Sequence, residues 1–180
     1  MNSFESPRNI HYVRLQRSSR LLTQVICVDG TFLHGKYRGT LLFASAQDAN
    51  IQIFPLAFAV VDSENDLSWG WFFRQMTNVV ADSSDLVFVS DRHRSISKGV
   101  EASYSLVRHV YCIWHMKQNI KARFKRSELV DLFMRAAVCY RQVEFNDLFT
   151  QIRQLHPQLA SYLEEGNVEK WSRAYFPGNR

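Results

Sequence analysis

Three apolar runs of strand length, Val25–Asp29, Thr40–Ala46 and Ile53–Val61, follow one another in quick succession. The gap residues Gly35-Lys36-Tyr37-Arg38-Gly39 and Gln47-Asp48-Ala49-Asn50 are turn formers that suit antiparallel hairpins. Two further runs, Leu86–Asp91 and His109–Trp114, are reached only after helical stretches. A tight turn forces antiparallel pairing, whereas a strand reached through a helix can pair in parallel. The order β-β-β-α-β-α-β therefore predicts a mixed sheet covered by helices. Pro55 cannot donate to a ladder, so the third run must lie at a sheet edge or carry a bulge.

Helical spacing supplies the rest. Trp69, Phe72, Phe73, Met76, Val79 and Val80 form one apolar stripe, with Ser68 as its expected cap. A short helix is expected around 95–102. From Met116 onward the pattern is helical, with stripes at Leu129, Leu132, Phe133, Ala136 and Ala137, then at Phe145, Leu148, Phe149, Ile152 and Leu155. Residues 1–20 read as a loose polar lead-in to a single domain over 21–180, helical from about 116. The expected class is α/β, a five-stranded mixed sheet flanked by helices, followed by an all-helical C-terminal insertion segment. This is the element order of the ribonuclease H-like fold.

At 180 residues the chain can bury a real core, and 46% hydrophobic residues argue against disorder. A net charge of +5 is compatible with an anionic partner without requiring one. Cys27, Cys112 and Cys139 are odd in number and widely spread, which suggests a reducing compartment rather than a disulfide framework. The first eight residues lack the apolar core of a signal peptide. The longest apolar run, Phe54–Val61, is too short to cross a bilayer. A soluble internal protein with no membrane partner is expected.

Asp29 and Asp91 each stand at the end of an apolar run. Hard cations such as Mg²⁺ take oxygen ligands and are held by one or two carboxylates together with substrate phosphate. Taken singly, Asp29 reads more readily as a turn residue before Gly30-Thr31, and Asp91 as a helix cap before Arg92.

Several ordered motifs narrow this choice. Asp29-Gly30-Thr31-Phe32, Gln47-Asp48 and Phe54–Val61 followed by Asp62-Ser63-Glu64 resemble the catalytic domain of Mutator-like element (MULE) transposases, of the plant MuDR type. So do Ser68-Trp69-x-Trp71-Phe72, Ser90-Asp91-Arg92, Cys112-Ile113-Trp114-His115 and, near the end, Trp171–Phe176. The resemblance runs from about 25 to 176. It implies a cut-and-paste DNA transposase with an Asp-Asp-Glu triad, in which Asp29 is the first acid and Asp91 the second. Mg²⁺ or Mn²⁺ is the implied cofactor, since paired ions about 3.5–4 Å apart assist both the attacking and the leaving oxygen of an in-line displacement.

The resemblance also places the third acid in a Glu-Phe-containing helix, where Glu144 of Gln142–Leu148 matches. Asp147, Glu164 and Glu165 are rivals, and Asn146 departs from the acid that relatives often carry there. Cys112 and His115 form a C-x-x-H pair at the end of the fifth strand. Packing beside the acids is favoured over zinc, because a closed zinc site needs four ligands. Lys117, Lys121, Arg123, Lys125 and Arg126 crowd one helical stretch, and Arg92 and Arg94 flank the second acid; all are candidates for DNA phosphate contacts. Trp69, Trp71 and Phe72 have the spacing of core residues rather than of base-stacking ones.

The expected function is metal-dependent strand cleavage and transfer on double-stranded transposon ends, in the nucleus. The family's separate DNA-binding segment and zinc finger are not recognised, so the domain is not expected to transpose alone. A homo-oligomer or a longer transposase would supply the missing modules. The alternative is a domesticated DNA-binding or transcription-regulating relative that does not cut, as in the far-red-response type of plant transcription factor. A decayed remnant is a third reading.

Overall fold

Among the described residues six strands form one sheet, in which the first hairpin pair and the crossover strand share a central strand. In the computed structural model, which describes residues 12–15, 25–34, 38–47 and 52–176, these strands are β1 (Tyr12–Leu15), β2 (Val25–Leu33), β3 (Gly39–Gln47), β4 (Ile53–Val61), β5 (Val87–Ser90) and β6 (Arg108–Tyr111). Their order across the sheet is β1-β4-β3-β2-β5-β6. The hairpin-joined strands β2, β3 and β4 pair antiparallel, and β5 joins β2 in parallel. The mixed sheet flanked by helices is α/β and compatible with a ribonuclease H-like fold.

Among the described residues the sheet holds the five expected strands and a sixth. Tyr12–Leu15, read as lead-in, pairs antiparallel with Ala57–Val60 of β4. The rest of the lead-in and the turn residues 35–37 and 48–50 lie outside the described residues. Pro55 sits where the β3–β4 register shifts, opposite Ser45, so it carries the bulge that its missing N–H demands.

The chain divides into two compact units, one ending at His109 and one beginning at Val110. In the first unit, α1 (Asp66–Met76) and α2 (Arg94–Ser103) pack on the sheet. Asn65, not Ser68, caps α1: its side chain accepts the N–H of Ser68 at 2.9 Å, so the helix begins a turn earlier than expected. Ser68 is itself buried. The core joins Ile26 and Val28 of β2, Leu42 and Ala44 of β3, Phe88 of β5, the α1 stripe Trp69, Phe72, Phe73 and Met76, and Ile96 and Val100 of α2. Burying side chains of this size contributes about 1.5–3 kcal/mol each.

The second unit is α3 (Ile113–Phe124), α4 (Ser127–Val138), α5 (Gln142–Leu155) and α6 (Pro157–Glu165), then two single 3₁₀ turns. Leu129, Leu132, Phe133, Ala136, Ala137, Phe145, Leu148, Phe149 and Ile152 are buried as their spacing requires, around Trp171. Leu155 departs from its stripe and is 54% exposed, because the helix ends there ahead of Pro157. Among the described residues no helix is long and apolar enough to cross a membrane.

Candidate active site

Register brings the two aspartates together. β2 and β5 pair through Val25–Val87, Ile26–Phe88 and Cys27–Val89. Two residues beyond the last pair stand Asp29, still within β2, and Asp91, just past the end of β5; the two strands lie about 4.8 Å apart where they pair. Side chains alternate across a sheet. Ile26, Val28, Phe88 and Ser90 are buried on the helix-covered face, which puts Asp29 and Asp91 together on the other one.

Asp29 does not end its strand. The sequence suggested a tip, but β2 continues to Leu33 because β3 goes on pairing with it, Asp29 opposite Phe43 and Leu33 opposite Gly39. Only the β5 side of the ladder stops before Asp29. Asp91 lies just past the end of β5.

Local hydrogen bonds orient both groups. Asp29 Oδ1 accepts the N–H of Gly30 at 2.9 Å. Asp91 Oδ1 accepts the N–H of His93 at 2.9 Å. The buried Ser90 hydroxyl donates to the Asp91 carbonyl at 2.7 Å and lies 2.7 Å from His109 Nε2, which ties β5 to β6 at this level. Glu64 is also here: its carboxylate lies against Gly30 and 3.7 Å from His93. No pattern along the chain marks that contact, since it depends on the missing side chain of Gly30.

This donor set fits a hard cation. Two carboxylates on one face of adjacent strands give Mg²⁺ or Mn²⁺ the oxygen ligands it takes. Among the described residues no three of His, Cys, Asp and Glu surround one point, so water or phosphate oxygens would have to complete the shell.

Glu144 belongs to the second unit, in the first turn of α5, where it is exposed rather than turned toward the apolar stripe. Burial first, and the Glu144 charge second, push the Cys139 thiol up. Of its rivals, Glu164 is paired with Arg153 at 2.6 Å, while Asp147 and Glu165 are exposed. Asn146 accepts the Tyr175 hydroxyl at 2.9 Å, a structural bond that a carboxylate could also make.

Cys112 and His115 are not on a strand end. β6 stops at Tyr111, Cys112 is the N-cap of α3 with its carbonyl accepting the Met116 N–H at 3.0 Å, and His115 is in the first turn. The His115 ring stacks edge-on against Trp114, with centroids 4.9 Å apart. The helix starts early because its first hydrogen bond is available as soon as the short strand ends.

The basic cluster splits. Lys117, Lys121, Lys125 and Arg126 line a groove of about 600 Å³ on α3 and α4, with Ser127, Val130 and Asp131. Arg123 turns instead to the rings of Phe124 and Tyr162, at 5.5 and 5.2 Å. In the first unit, Arg92 is half-buried beside Asp91, and Arg94 is exposed at the start of α2. Residues 25–119 match the family model of the MULE transposase domain. No curated protein matches the chain.

Proposed function

The chain belongs to the MULE transposase domain family, since the matched residues 25–119 are more than half of its 180, and from that premise we propose that it is the catalytic-type domain of a Mutator-like DNA transposase. Asp29 and Asp91 hold Mg²⁺ or Mn²⁺. The observation that carries this reading is the β2–β5 register, which ends at Cys27 opposite Val89, two residues short of both aspartates; continued with the same alternation, it brings them to one sheet face. Bound there, divalent ions would polarise the scissile phosphate and activate the attacking oxygen. The protein's part is to hold the two carboxylates in place, through the main-chain bonds of Gly30 and His93.

Its substrate is double-stranded DNA at transposon ends, in the nucleus, and the subtype is the plant MuDR one. Arg92 and Arg94 contact phosphate next to the acids. Lys117, Lys121, Lys125 and Arg126 grip the backbone through their shared groove, which Asp131 also lines. Arg123, held over two aromatic rings, contributes less. Cys112 and His115 serve packing at the start of α3 rather than zinc.

Nicking of supercoiled plasmid in Mn²⁺ tests the proposal. Cleavage that disappears in Asp29→Ala and in Asp91→Ala is expected. DNA binding unchanged by either substitution, with no cleavage in Mg²⁺ or Mn²⁺, would replace the nuclease with a non-cutting regulator.

A further inference from the structure

Glu64 lies in the bend between β4 and α1, and its carboxylate touches three separate segments of the first unit. Its Oε1 accepts the indole N–H of Trp69 at 3.0 Å, and Trp69 is fully buried in the core, so α1 fixes the position of that oxygen. The same oxygen lies 3.7 Å from Nδ1 of His93, whose main-chain N–H holds the Asp91 carboxylate. On its other side the carboxylate lies across Gly30. A β-carbon there would stand 3.0 Å from Oε1, 3.1 Å from Cδ and 3.3 Å from Oε2. Gly30 in turn gives its N–H to Asp29.

A side chain only 16% exposed is a costly place for a carboxylate unless it is well bonded. Satisfying Trp69 alone would not require contact with the two acid-bearing segments as well. Alternation along β2 decides how Glu64 acts. Gly30 faces α1 and Asp29 faces away, so Glu64 stands behind the strand from the Asp29 side chain.

We infer that Glu64 is a positioning residue that ties the Asp29-Gly30 and Asp91–His93 segments to α1 and so fixes the separation of the two aspartates. The inference rests on the reading of that pair as metal ligands. Residues that orient ligands in this way typically change metal affinity 10- to 100-fold when removed.

Mn²⁺ titration of the full chain, with a thermal melt of each variant to verify folding, tests it. Glu64→Ala should weaken Mn²⁺ binding about tenfold or more. Glu64→Gln keeps an oxygen for Trp69 and should restore most of the affinity. Gly30→Ala pushes on the same carboxylate from the other side and should weaken binding in the wild-type background. With Glu64→Ala present, the Gly30 substitution should add little, because the space it needs is then open. If Glu64→Ala binds Mn²⁺ like wild type while Asp29→Ala does not, the brace is wrong and the metal pair stands. Glu64→Gln as weak as Glu64→Ala would make the charge itself the requirement and overturn a positioning role. If wild type and Asp29→Ala bind alike, the metal reading falls and takes this inference with it.

Discussion

Gly99 of α2 lies so close to Phe73 of α1 that a β-carbon on it would stand 2.7 Å from Cδ2 of the ring and 3.1 Å from the Trp69 carbonyl oxygen. The two helices approach through the absence of a side chain. Gly99→Ala must move the ring or part the helices, and overpacking of this kind costs about 1–3 kcal/mol. A lower urea midpoint with an unchanged slope is expected. An unchanged midpoint would mean the contact yields freely.

Asp66 pins the start of α1 to α2 through the Lys98 ammonium and the Ser95 hydroxyl. The Lys98 bond first, then that of Ser95, hold its carboxyl below the usual 3.8. A carboxyl with a lowered folded pKa stabilises in full above its unfolded value, and the contribution fades as pH falls through the folded one. Asp66→Asn should therefore melt below wild type at neutral pH, and the gap should close as the pH drops below about 4. A gap that widens on acidification contradicts this.

Lys125 ends α3 in the left-handed region, at φ 53° and ψ 31°. An L-residue with a β-carbon pays roughly 1 kcal/mol there that glycine does not. Lys125→Gly should raise stability by about that amount in urea denaturation. It also removes one cation from the groove of α3 and α4. If that groove holds DNA, the slope of log affinity against log salt should flatten by about 0.9. A slope equal to wild type would take Lys125 out of the interface.

Cys139 is buried, its Sγ 3.2 Å from the Ala136 carbonyl, and burial pushes its thiol up, whereas Cys27 is exposed. Thiolate is the reactive form. Mass spectrometry after alkylation of the native chain should show Cys27 labelled well before Cys139, with Cys139 reacting on unfolding. Equal rates would mean that α4 and α5 open readily in the folded state.

Local pattern made much of this fold legible. The hairpins, the bulge at Pro55 and most of the stripes of α1, α4 and α5 follow from spacing and turn chemistry that neighbouring residues carry, although Val79 and Val80 lie beyond the end of α1 at Met76 and Leu155 is exposed. What escaped depends on partners distant in the chain. Tyr12–Leu15 is a strand because Ala57–Val60 offers an edge. β2 passes beyond Asp29 because β3 continues beside it, although Phe32 in that extension is 67% exposed and gives no core signal. The aspartates could be named from the sequence, but their approach across β2 and β5 appears only in the register. Glu64 was visible as a letter and not as a neighbour of Gly30. The five cations of α3 and its end read as one cluster, and only the side-chain directions separate Arg123 from the groove.

The most direct test of the acid pair is a double-mutant cycle read by Mn²⁺ affinity, using Asp29→Asn, Asp91→Asn and the two combined. If the carboxylates share an ion, each single substitution should remove most of the affinity and the double should lose little more. Singles that each bind Mn²⁺ as tightly as wild type would contradict a shared site.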